Sequence, residues 1–194
     1  LPESLDEACA IAALFAERST IRSGAKATED EVRALDGDRQ LATYDILHFA
    51  SHALLSGEMG AGSEPAIVLT PPAGGGNTDG LLAASEVAGL HLDADWVILS
   101  ACNTAAGNTA DTEGLSGLAR AFLYAGARSL LVSHWAVDSQ AAVEIASRTV
   151  ANFVANPKHG KAEALRAAIL SLIQEGGNKA NPRYWGPFVL VGDG

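Results

Sequence analysis

Apolar positions along this chain follow two rhythms. Between residues 3 and 17, Leu5, Cys9, Ile11, Ala12 and Phe15 recur at roughly helical spacing and predict a helix. Thr28 and Glu31 have the spacing of a capping box and open a short helix to about Leu35, ended by Asp36-Gly37-Asp38. Leu115, Leu118, Ala119, Phe122 and Leu123 mark one face of another helix, stopped by Gly126. A further helix runs from Asp138 or Ser139 to about Val154 and breaks at Asn156-Pro157 and Gly160. Leu165, Ala168, Ile169, Leu172 and Ile173 mark the last helix, stopped by Gly176-Gly177. The second rhythm is contiguous. Residues 46–50, 66–70, 96–101, 129–133 and 188–191 each read as a short strand, and 96–101 as one buried on both faces. Weaker signals give a short strand at 19–21, a returning strand at Leu81-Leu82 paired with 67–69, and helical turns at 85–89.

Strands that alternate with helices predict an α/β domain with a largely parallel central sheet flanked by helices. In such a sheet the site lies beyond the carboxyl ends of the strands. With 194 residues, of which 48% are hydrophobic and 19% charged, the chain suits a single domain with a sizeable core. No internal repeat is visible. The formal net charge of -10 and sequence pI near 4.8 argue against nucleic acid and an anionic membrane surface, and mildly favour a cationic partner. No apolar run approaches the ~20 residues that span a bilayer, and no signal segment opens the chain. Cys9 and Cys102 are the two cysteines, too few for a disulfide framework, so both are read as reduced and the protein as cytoplasmic. The start at Leu1 rather than Met is read as excision from a longer protein.

Two strand ends carry chemistry. His52 follows Asp45-Ile46-Leu47-His48-Phe49-Ala50-Ser51, and Cys102 follows Trp96-Val97-Ile98-Leu99-Ser100-Ala101. Fifty residues separate them, histidine first, the order found in caspase-type cysteine peptidases. If the two strands are parallel neighbours, an imidazole and a thiol meet at one sheet edge as base and nucleophile. The bland alternative for Cys102 is a small buried hydrophobe.

Six segments, in order, resemble the CHAT domain, a family in the clan of caspases, separases and gingipains. They are Leu47-His48-Phe49-Ala50-Ser51-His52; Asp79-Gly80-Leu81-Leu82-Ala83-Ala84-Ser85-Glu86; Val97-Ile98-Leu99-Ser100-Ala101-Cys102-Asn103-Thr104; the stretch from Gly114 to Ala127; Ser129-Leu130-Leu131-Val132-Ser133-His134-Trp135-Ala136-Val137-Asp138; and the stretch from Tyr184 to Gly192. The resemblance implies a caspase-like three-layer sandwich, His52 as base and Cys102 as nucleophile of a cysteine endopeptidase, and no cofactor. It also implies a protein substrate and regulation by tetratricopeptide-type repeats or a partner. The family usually has Gly after the histidine, where Ala53 stands here, and an acidic residue, Thr and Gly after the cysteine, where Asn103, Thr104 and Ala105 stand. These departures feed an alternative: a non-catalytic module of the same fold that binds peptide in its cleft.

The oxyanion hole is expected from the N–H groups of Cys102 and Ala53. By analogy with caspases, residues 133–138 border the substrate cleft, with Ser133 at the strand end and Trp135 as an apolar wall. Asp138 is either an acid reading the P1 residue or the cap of the next helix. Asp79 is either a second such acid or ordinary Asp-Gly turn chemistry. An acid in the pocket implies Lys or Arg at P1, because a buried carboxylate needs a cationic partner. His48 is read as a buried imidazole hydrogen-bonded near the dyad rather than as half of a zinc pair with His52. Glu86 is read as a helix-start ligand. Gly74-Gly75-Gly76 lacks the Lys-Ser/Thr of a phosphate loop. The polar loops 53–65 and 103–112 are expected to be mobile until a partner orders them.

Overall fold

Four strands form the central sheet in the order β1-β5-β6-β7: β1 (Ile46–Phe49), β5 (Trp96–Leu99), β6 (Ser129–Ser133) and β7 (Phe188–Gly192). The computed structural model of the chain describes residues 2–72, 78–100, 113–134 and 137–194. β1, β5 and β6 run parallel, and β7 runs antiparallel along β6. The parallel core matches the sequence expectation. Strand direction leaves no mark on apolar periodicity, so the reversal of β7 is new information.

Every residue of β5 and β6 is buried, as strands with both faces covered must be. Val97, Leu99, Leu130 and Val132 face one apolar layer. It is built with Leu118 and Phe122 of α4 (Glu113–Ala125), Val87 of α3 (Ala84–Ala88), and Val32 and Leu35 of α2 (Glu29–Gly37). Trp96, Ile98 and Leu131 face the other layer. Its partners are Ile11 of α1 (Pro2–Ala13), Ile145 and Val150 of α5 (Ser139–Ala155), and Leu165 and Leu172 of α6 (Gly160–Glu175). The fold is therefore the expected three-layer α/β sandwich. Aromatic pairs stiffen both layers: Phe49 meets Phe122 at 5.4 Å, and Trp96 meets Phe153 edge-on at 5.6 Å.

Residues 66–70 do not join the central sheet. A separate three-stranded antiparallel sheet holds β2 (Ala53–Leu54), β3 (Ala66–Val68) and β4 (Leu81–Ala83). β4 is the returning strand expected from Leu81-Leu82, paired Ile67↔Leu82 and Val68↔Leu81. β2 lies in a stretch expected to be loop. Residues 19–21 form no strand, and Ile21, the apolar residue among them, is exposed. α1 stops at Ala13, short of the expected 17, and a 3₁₀ turn follows at Ala16–Arg18.

Helix ends follow local chemistry. Thr28 caps α2 by accepting from the Glu31 N–H at 3.1 Å, as its spacing predicts. Glu86 accepts from the Ala83 N–H at 2.9 Å at the start of α3. Gly126 ends α4 with φ of +116°; a Cβ there would lie 2.1 Å from the Leu92 carbonyl oxygen, so only glycine fits.

Candidate active site

The parallel register sets Phe49 beside Leu99, and the Ser100 N–H donates to the Phe49 carbonyl at 3.0 Å. The carboxyl ends of β1 and β5 are thus tied together at one sheet edge. His52 follows Phe49 by three residues, and Cys102 follows Leu99 by three. Cys102 and Trp135 lie outside the described residues, as do Gly74-Gly75-Gly76 and the loop 103–112.

His52 is exposed at the turn between β1 and β2. Three contacts hold that turn. The His52 carbonyl accepts from the Val68 N–H at 2.8 Å, Ser51 Oγ donates to the Val68 carbonyl, and Ala53 pairs with Ile67. His52 and Leu54 thereby occupy hydrogen-bonded ladder positions opposite Val68 and Ala66. Strict alternation then turns the N–H of Ala53 away from β3. Ala53 is buried and does not adopt positive φ, so its Cβ brings none of the backbone strain that favours glycine. His52 also contributes to a groove of ≈ 1050 Å³ along the outer edge of β1, lined among others by Phe15, Leu47, His48 and Phe49.

Beneath the strand ends lies a polar cluster inside the α1 face of the sheet. His48 Nε2 is 3.0 Å from Glu7 Oε1 and 3.3 Å from Ser100 Oγ, and the Ser100 hydroxyl donates to Glu7 Oε1. The Glu7 side chain is 3% exposed and that of His48 11%. The expected hydrogen-bonded His48 is present and part-buried, and its partners come from α1 and the residue after β5. Sequence reading did not single out Glu7. The available signal was a carboxylate one turn before Ile11, hence on the buried face of α1. Leu5 and Cys9, which the apolar spacing put forward, are exposed instead, and Cys9 is a free thiol.

The acids expected near the cleft each accept hydrogen bonds from backbone N–H groups. Asp79 is exposed, and its Oδ1 accepts from the Leu81 N–H at 2.9 Å in a turn with Gly80 at φ +81°. Asp138 caps α5, its Oδ1 accepting from the N–H groups of Gln140 and Ala141 at 3.0 and 3.2 Å. Ser133 is buried at the end of β6 and pairs with Phe188. His134 is exposed, and its N–H donates to the Pro187 carbonyl. Residues 53–65, expected to be a mobile loop, begin with β2. They continue as a turn in which Ser63 Oγ accepts from the N–H groups of Gly57 and Met59. Among the described residues no group of three His, Cys, Asp or Glu side chains is arranged to hold a metal, and no helix is long and apolar enough to cross a membrane.

A family model described as CHAT domain matches residues 1–193. Over 114 residues, 58% of this chain, the sequence is 35% identical to tetratricopeptide repeat protein 28 of Mus musculus, and the match spans 4% of that protein's length.

Proposed function

The chain belongs to the CHAT domain family, a caspase-like peptidase-type family, and on that premise we propose that it is a cysteine endopeptidase domain with His52 as base and Cys102 as nucleophile. The observation that carries this reading is the Phe49↔Leu99 register, because both residues follow adjoining strand ends by the same three positions. Cys102 Sγ attacks the scissile carbonyl carbon as His52 takes the thiol proton. The developing oxyanion is held by the N–H groups of Cys102 and Ala53, and the outward turn of the Ala53 N–H supports that role. Collapse breaks the C–N bond, and the amine leaves with the proton from His52. Water then cleaves the thioester, releasing the acid and restoring the thiol. Exposure of His52 supports access by a protein substrate.

The proposal extends to specificity and control. The net charge of -10, with exposed carboxylates at Asp79 and Asp138, supports a basic P1 residue. Ser133 and Trp135 are proposed to border the substrate strand. The likeness to a tetratricopeptide repeat protein supports gating by helical repeats or a partner. The test is cleavage of fluorogenic peptides differing only at P1, with the domain in its full natural polypeptide. Arg and Lys peptides are expected to be cut faster than Asp or Leu peptides, and Cys102→Ala to cut none. Peptide binding without cleavage under any of these conditions would instead mark a binding module of the same fold.

A further inference from the structure

The Glu7, His48 and Ser100 cluster sits in the layer that packs α1, α5 and α6 against the sheet through Ile11, Ile98, Ile145 and Leu172. A carboxylate placed there costs free energy unless donors satisfy it, and packing alone would be served better by an apolar side chain. Its three members come from three elements: α1, β1 and the residue after β5. Ser100 is the point where they converge. Its N–H is fastened to Phe49, its hydroxyl donates to Glu7, and His48 Nε2 lies 3.3 Å from the same oxygen. Residue 100 is thus held along the sheet by its backbone and across the layer by its side chain. It precedes Cys102 by two positions, and His48 precedes His52 by four.

From this arrangement we infer that Glu7, His48 and Ser100 are positioning residues that set the thiol of Cys102 against the ring of His52, with α1 as the anchor. The inference rests on the His52–Cys102 reading and deepens it. None of the three touches substrate; each acts through the strand ends it ties. Displacing a reacting group by about 1 Å costs on the order of 100-fold in rate, so a brace at this point governs reactivity without supplying chemistry.

The test compares two reagents on the intact polypeptide, with adducts on Cys102 followed by mass spectrometry. An arginine-ending peptidyl chloromethyl ketone needs the aligned dyad; iodoacetamide needs only an accessible thiol. Ser100→Ala, His48→Leu and Glu7→Leu are expected to slow the peptidyl reagent about 10- to 100-fold and to leave the iodoacetamide rate near native. His48→Gln and Glu7→Gln, which keep a polar partner for Ser100, should recover much of the loss. Folded variants that react with both reagents at native rates, while His52→Ala stays silent to the peptidyl reagent, would overturn the brace and leave the dyad standing. Equal slowing with both reagents would also overturn it, as general loosening. Native protein that resists the peptidyl reagent would bring down the dyad and the brace together. Ser100→Ala, which removes one oxygen and opens little space, decides the matter if His48→Leu does not fold.

Discussion

Asp138 has a structural task set by its local geometry. Its carboxylate accepts two backbone N–H groups at the start of α5. Asp138→Ala is therefore expected to cost about 1 kcal/mol of stability, the usual worth of such a cap, with Asp138→Asn recovering most of it. Urea titration reads the difference, and an Ala variant as stable as native would contradict the cap. At this scale the sequence was legible where chemistry is local. Thr28, Glu86 and Gly126 do what their spacing and residue type predict. Glu7 was not legible, because its partners lie 41 and 93 positions away and no spacing rule reaches them. Ala53 was a concern only while its backbone was unknown. A conformation without positive φ removes the reason to require glycine.

Among the elements, legibility tracked burial. β5 is an unbroken apolar run, and β6 is apolar at Leu130, Leu131 and Val132 between two serines, because both faces are covered, and their positions follow directly from sequence. α4 and α6 followed from apolar positions at helical spacing and from their glycine stops, and α5 from its cap and the break at Asn156-Pro157. β2 is two residues long and too short for any periodicity to mark. β3 reads as a strand, yet its membership of a second sheet depends on β2 and β4, which is tertiary information. The strand expected at residues 19–21 failed because its apolar residue, Ile21, has no buried face to fill. The candidate site depends on the elements that were legible. β1 and β5 are parallel neighbours in register, and that pairing is the physical basis of the proposed His52–Cys102 dyad.

For the whole molecule, the acidic balance is tempered by ion pairs that join distant segments. Lys179, in the 3₁₀ turn Gly177–Ala180, pairs with Glu144 of α5 at 2.7 Å and with Glu175 of α6 at 2.9 Å. Arg148 of α5 also reaches both carboxylates. Hydrogen bonds from Arg148 and then Lys179 hold the Glu175 carboxyl at about 2, below its usual 4.5. The folded state therefore binds fewer protons than the unfolded state between those values. Its contribution is complete above about pH 4.5 and is lost as pH falls through about 2. Scanning calorimetry should show the melting temperature of the native protein falling across that window. Arg148→Gln and Lys179→Met should show a shallower fall. Identical slopes in all three proteins would remove this pair network from the acid response.

The central claim is that folding brings His52 and Cys102 together as one reactive pair. Its most direct measurement is the pH dependence of Cys102 alkylation by an arginine-ending peptidyl chloromethyl ketone, in native protein and in His52→Ala. The account predicts rapid labelling of native protein at neutral pH, well below the ordinary thiol pKa of ~8.5, and labelling of His52→Ala that is slow and confined to alkaline pH. Superimposable profiles for the two proteins would contradict it.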